Sequence, residues 1–163
     1  MKFVGNYADI IKDEWITYLL DNSGKLLPTD KMDAFECNDH YAVVLKQWKI
    51  EDMATWHKFE IEDLNFTIPW PVTLTDSIDW WVIKQSPGQC IPMHIDDNPP
   101  DKTTRYVLMF QDYIPGHVLI WNGKLLSDYK KGDLFIVDDV NANHGSSNIS
   151  NTPRLLAHLT VWN

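Results

Sequence analysis

Trp80-Trp81-Val82-Ile83-Lys84-Gln85-Ser86-Pro87-Gly88-Gln89-Cys90-Ile91-Pro92-Met93-His94-Ile95 is two short apolar runs separated by turn residues, and this texture persists to the end of the sequence. After Trp80 to Gln85 and Cys90 to Ile95 come Arg105 to Phe110, His117 to Trp121, Lys124 to Ser127, Leu134 to Val137, Asn143 to Asn148 and Arg154 to Trp162. Eight runs, broken by turn residues every ten or so positions, are the pattern of an all-β sandwich or barrel, and eight is the strand number of a jelly roll. Asn122-Gly123 is a type I′ hairpin signal between Trp121 and Lys124. The expected fold is therefore mainly β, with a jelly-roll core.

Upstream the texture is different. Ile10, Ile11, Trp15, Tyr18 and Leu19 share one helical face, with Asn6 as a candidate cap and Asn22-Ser23-Gly24 as the stop. Such a helix would pack outside the sheet. Leu26 to Asn38 reads as irregular, and Tyr41 to Leu45 has the β-branched and aromatic content of a strand. Between Ile50 and Leu64, the residues Met53, Trp56, His57 and Ile61 can share a helical face, so a second short helix is expected there. Pro69 and Pro71 exclude a central strand around Trp70, because neither can donate to a ladder. The 163 residues suit one domain, with 1–75 as support and 76–163 as the core.

The composition excludes several classes of function. A net charge of −9 with no basic cluster longer than Lys130-Lys131 gives phosphates nothing to follow, so nucleic acid is not an expected partner. The two cysteines, Cys37 and Cys90, form no Cys-x-x-Cys pair, which argues against a zinc knuckle or a redox dithiol. No apolar run reaches the length of a membrane span, and Met1 to Gly5 leads into polar residues with no signal-peptide core. The expectation is a reduced, soluble, cytoplasmic protein without a membrane partner.

Within the β-rich half, His94 and Asp96 are two apart, so an extended chain sends both side chains to one side. His144 follows 48 residues after Asp96 (144 − 96), far enough for several strands to return it to the same point. Two imidazoles and a carboxylate on one face of an octahedral ion leave three positions open, which suits Fe(II) binding a chelating co-substrate and dioxygen. Zinc would favour a closed tetrahedron or a single open position. Asp97 points to the opposite side from Asp96 and reads as part of the Asp97-Asn98-Pro99-Pro100 turn. Taken alone, His94 and Asp96 could equally be an edge-strand histidine beside a turn-forming aspartate.

Arg154 stands ten residues past His144 (154 − 144), at the head of the apolar run Leu155 to Trp162. A guanidinium entering such a strand needs an anion, and a bidentate carboxylate fits its fork. Leu156, His158, Thr160 and Trp162 share its strand face by period two, so His158 is either a hydrogen-bonding neighbour of the site or a core histidine. His40, His57 and His117 have no partner at ligand spacing and read as structural. Of Trp80 and Trp81, one should face the core and one should face outward. Trp80, Trp81, Gln85 and Gln89 could line the pocket. Gly145 would let other groups approach the metal closely, and Cys90 could lie near enough to it to be oxidised.

His94-x-Asp96, His144 and Arg154, with Gly132-Asp133 before the second histidine, resemble the Fe(II)- and 2-oxoglutarate-dependent oxygenases with a double-stranded β-helix core. The resemblance spans Trp80 to Trp162. Thr104 to Leu108 and Asp133 to Asp139 are similar to the aspartyl/asparaginyl β-hydroxylase branch, and the pattern also resembles prolyl hydroxylase-like members. The resemblance implies His94, Asp96 and His144 as iron ligands and Arg154 as the anchor of 2-oxoglutarate. Arg105 would hold co-substrate or substrate, unless it forms a rim salt bridge. The implied reaction is hydroxylation of an unactivated C–H bond, using O2 and releasing succinate and CO2, on an amino-acid or peptidyl substrate. Two other readings fit the same residues: a cupin-type metalloenzyme without 2-oxoglutarate, and a non-catalytic jelly-roll binding module.

Overall fold

Strand alternation governs the chain from Ile78 onward. In a computed structural model that describes residues 1–28, 55–75, 77–96 and 103–162, eight strands follow one another: β4 (Ile78–Gln85), β5 (Cys90–His94), β6 (Thr103–Met109), β7 (His117–Trp121), β8 (Lys124–Leu125), β9 (Asp133–Val137), β10 (His144–Asn148) and β11 (Arg154–Trp162). Before them lie β1 (Lys2–Asn6), α1 (Asp13–Asp21), β2 (Lys25–Pro28) and β3 (Thr55–Phe59). The strands form two antiparallel sheets, ordered β1-β9-β6-β11-β4-β3-β2 and β5-β10-β7-β8. Apart from the β7–β8 hairpin, successive strands from β4 to β11 change sheet at every step, which is the winding of a double-stranded β-helix. In that hairpin both Asn122 (φ 50) and Gly123 (φ 70) take positive φ, as a type I′ turn requires.

The larger sheet is covered on both faces. Leu155, Ala157, Leu159 and Val161 of β11 join Trp80, Val82, Phe59, Trp15 and Leu19 in a core against α1. Leu156 joins Ile83, Val107, Met109, Leu119, Trp121, Phe135 and Val137 in a second core between the sheets. This explains why β11 reads as nearly continuous apolar sequence, since both of its faces are interior. Trp80 and Trp81 do point to opposite sides of β4, but neither side is solvent: Trp80 enters the outer core and Trp81 packs against the inner one.

Two N-terminal expectations are corrected, besides that for Leu26 to Pro28, which pair with β3 as part of strand β2 where an irregular segment was expected. The helix begins at Asp13, not beside Asn6, because Lys2 to Asn6 is a strand paired with β9. A Cβ at Gly132 (φ +87) would fall 2.2 Å from the Ala8 nitrogen, so the chain passes directly over this glycine, and Ala8 to Ile10 makes a single 3₁₀ turn ahead of α1. Asn6 Oδ1 accepts from the Ala8 amide at 3.2 Å, a local turn that caps neither the 3₁₀ turn nor α1. The second correction concerns Ile50 to Leu64, where Thr55 to Phe59 is a strand between β2 and β4 and Ile61 to Asp63 is one 3₁₀ turn. Trp56 faces the inner core and Phe59 the outer one, so the pairing edge of β4 overrides the weak helical spacing. The expected strand at Tyr41 to Leu45 lies outside the described residues.

Lys84 ties the helix to the sheet. Its ammonium, on a side chain 7% exposed, donates to the carbonyls of Leu19 (2.9 Å), Leu20 (2.7 Å) and Asn22 (2.9 Å). These groups lie at the end of α1, where carbonyls lack helical partners and the dipole favours a cation. Lys84→Met is expected to lower stability by roughly 2–3 kcal/mol, since buried acceptors lose a charged donor. Hydrogen exchange should show the loss concentrated in α1; unchanged protection there would refute the tie.

Candidate metal centre

The site is built where β5 and β10 pair. His94 and His144 stand directly opposite each other, with ring centroids 4.2 Å apart. Asp96 lies two residues past the end of β5, and the ligand atoms of His94, Asp96 and His144 all fall within 4.8 Å of one another. His94 Nε2 is 3.4 Å from Asp96 Oδ1, and His144 Nε2 is 3.7 Å from Asp96 Oδ2. On the far side of each ring, Nδ1 lies against a backbone carbonyl, 2.8 Å from Pro92 for His94 and 2.9 Å from Ala142 for His144. With a metal bound, a proton on each Nδ1 would serve those carbonyls and free both Nε2 lone pairs for the ion, the arrangement that metal-ligating histidines use. The triad could therefore hold a metal ion.

Local irregularity makes this convergence possible. The β5–β10 register shifts between His144 and Ser146, so that Ile91 pairs with Ser146 while His94 pairs with His144. Three steps on β5 match two on β10, a bulge that contains Pro92, whose nitrogen has no hydrogen to donate. The bulge lets Ile91 and His94 both line the cavity, whereas Cys90 is not on its wall. Gly145 serves this bulge. A Cβ there would sit 2.9 Å from Ile91 O and Met93 N, so its role is to let the β5 backbone pass close.

The cavity, about 140 Å3, has walls that include Trp56, Trp81, Leu119, Trp121 and Leu156. Several waters or one small organic acid fit such a space. Trp121 stacks on His144 with centroids 3.8 Å apart and fixes the ring plane, while its indole donates to the Asp139 carbonyl. His158 also faces the cavity, stacked on Trp81 at 5.5 Å. It stands outside the ligand cluster, and its Nδ1 is buried without a partner. Gln85 is fully buried behind the wall, and Gln89 turns away to accept from the Ser86 amide. His117, fully buried with Nε2 3.2 Å from the Thr152 carbonyl, is structural.

Both arginines reach the cavity with different company. Arg105, 6% exposed, donates through Nη1 to Asp96 Oδ2, so it meets the carboxylate of the triad and forms no rim pair. Burial favours the neutral form of Asp96, but the His94 ring, the Arg105 guanidinium and His144 outweigh it and hold the carboxyl well below its usual range. Arg154, 2% exposed, donates to the Val118 carbonyl at 2.6 Å and to Gln85 Oε1. Its Nε has no partner, and among the described residues no carboxylate lies within ion-pair distance. Burial pushes its pKa down to about 10, so it remains a cation at neutral pH.

Trp56, Trp121 and Ser146 on the cavity wall were not visible as site residues in the sequence. Trp56 and Trp121 are placed by pairing across many residues, whereas Ser146, two residues past His144, shares its strand face by period two.

No protein-family model matches the chain, and no curated protein matches its sequence. Solved structures do match. A cupin 2 conserved barrel domain protein from Salinispora arenicola CNS-205 is 11% identical with a TM-score of 0.42, over 65% of this chain and 75% of that one. A protein with a double-stranded β-helix domain from Klebsiella pneumoniae is 20% identical with a TM-score of 0.40, over 55% and 71%. A predicted oxalate decarboxylase from Thermotoga maritima is 19% identical with a TM-score of 0.40, over 52% and 66%. At these values the likeness says nothing about activity. No helix among the described residues is long and apolar enough to cross a membrane.

Burial pushes His144 down to about 4, lowers His117, and lowers His158 well below the ordinary histidine value. Unfolded, these rings take up protons below about pH 6.5. The unfolded state then binds more protons than the folded one, so stability falls as pH drops from about 6.5 toward 4. Each such ring contributes a slope of roughly 1.4 kcal/mol per pH unit between its two pKa values. Urea unfolding of the metal-free chain at pH 7, 6 and 5 should show a falling midpoint. A flat profile would mean that these rings are not buried as described.

Proposed function

We propose that the protein is an Fe(II)- and 2-oxoglutarate-dependent dioxygenase that hydroxylates a C–H bond of an amino-acid or peptidyl substrate. The observation that carries this reading is that an open-faced cluster of two imidazoles and a carboxylate shares one cavity with a buried arginine that has no carboxylate partner among the described residues. The donor set fits the ion: His94 and His144 would bind through Nε2 and Asp96 through a carboxylate oxygen. Arg154 would hold the distal carboxylate of 2-oxoglutarate. Iron with 2-oxoglutarate and dioxygen supplies the oxidising power that installs a hydroxyl, while the co-acid leaves as succinate and CO2.

The chain's own contribution is position and dryness. Trp121 fixes the His144 ring, Arg105 orients Asp96, and the walls of Trp56, Trp81, Leu119 and Leu156 keep water from the reacting centre. Arg105 is already paired with Asp96, so the amino-acid or peptidyl class of substrate follows the resemblance of Thr104 to Leu108 and Asp133 to Asp139 to the β-hydroxylase branch. A cupin-type metalloenzyme without 2-oxoglutarate draws support from the third imidazole, His158, yet that ring is outside the ligand cluster. Adding Fe(II) and 2-oxoglutarate without oxygen separates the readings. A visible metal-to-ligand charge-transfer band is expected, and its absence at saturating concentrations would reject the dioxygenase.

A further inference from the structure

Gln85 lies directly opposite Arg154 in the β4–β11 pairing and is completely buried. Its Oε1 accepts from Arg154 Nη2 and, at 3.2 Å, from the Ser146 hydroxyl, while its backbone carbonyl accepts from Asn148 Nδ2 at 2.8 Å. Because Arg154 can only donate, this contact fixes which end of the Gln85 amide is oxygen. Nη1 of Arg154 is held by the Val118 carbonyl, so both anchors of the guanidinium are neutral acceptors. A buried arginine would ordinarily be matched with a carboxylate. Position 85 is where such a partner would stand, and the residue there is the neutral isostere of glutamate.

We propose that Gln85 is a positioning residue that aims Arg154 while leaving its charge uncompensated, so that an organic carboxylate entering the cavity supplies the missing anion. The idea rests on the co-substrate reading only for the identity of that anion. Gln85 itself is walled off from the cavity and does not touch the ligand. Its neutrality sets the affinity, because an ion pair already formed inside would leave the entering carboxylate nothing to neutralise. Ser146 extends the brace to β10, two residues from His144, which links the anion anchor to the metal strand by hydrogen bonds.

The test is Gln85→Glu, with Gln85→Met as the uncharged control, each loaded with Mn(II) and titrated calorimetrically with 2-oxoglutarate, succinate and inorganic phosphate. Gln85→Glu keeps the shape and gives Arg154 an internal carboxylate. It should fold with a Tm equal to or above that of the parent, bind Mn(II) as the parent does, and bind 2-oxoglutarate about a hundredfold or more weakly. Gln85→Met should lose roughly tenfold, since Arg154 keeps its charge but loses one brace. A purely structural role predicts the opposite order, with Met the more damaging change. Gln85→Glu binding 2-oxoglutarate as tightly as the parent would overturn the inference and leave the dioxygenase reading intact. If the parent binds succinate or phosphate but not 2-oxoglutarate, and Gln85→Glu abolishes that binding, Gln85 keeps its role and the co-acid is lost. A parent that binds none of the three overturns both.

Discussion

His144→Ala is expected to empty the metal centre and abolish oxygen-dependent turnover. Removing a hydrogen-bond partner of a ligand typically costs roughly 10–100-fold in metal affinity, and removing the ligand itself should exceed that. His94→Ala should behave in the same way. Metal content after anaerobic loading, measured beside succinate release, decides the matter, and full iron content in either histidine variant would reject the triad. Asp96→Ala should differ in one respect. It removes the carboxylate that Arg105 grips, so the metal-free chain should also lose stability, because a charge 6% exposed is left without its partner. Adding Arg105→Met to Asp96→Ala should restore the stability without restoring metal binding.

Arg154→Met is expected to retain iron but raise the 2-oxoglutarate requirement. Loss of a charge-assisted pair costs roughly 1.5–3 kcal/mol, on the order of ten- to a hundredfold in affinity. Methionine keeps much of the volume of the buried stem, so the Val118 carbonyl and Gln85 amide lose a donor without an open cavity forming. Titrating the charge-transfer band gives the midpoint directly. An unchanged midpoint would remove Arg154 as the anchor and leave Arg105 as the next cation to test.

The eight core strands were legible because each carries its pattern locally, as apolar runs ended by turn residues. The helix start and the Thr55 to Phe59 strand were not. In both places a distant partner decides: Gly132 beneath Ala8 in the first case and the edge of β4 beside Trp56 to Phe59 in the second. At the site, period two suggests that His94 and Asp96 share a side, and both line the cavity, but nothing near Pro92 announces the bulge that lets Ile91 and His94 both face it. Lys84 reads as a polar residue in an apolar strand, and its three acceptors lie more than sixty residues earlier. The Arg105–Asp96 pair was hidden for another reason, since the spacing alone left Arg105 free to meet co-substrate, substrate or a rim acid.

The place of β11 in the larger sheet bears on how the chain is made. It is last of the eight core strands in order of synthesis, yet it lies centrally, between β6 and β4. Until it leaves the ribosome, those two strands face each other across a gap with open edges, the condition that invites a nascent chain to pair with a neighbour. The β5–β10 pairing that carries the two histidines lies wholly in the other sheet. Arg154 arrives only when β11 closes the gap. Arg154 is therefore the last of the site's charged groups to be synthesised, after all three members of the metal cluster.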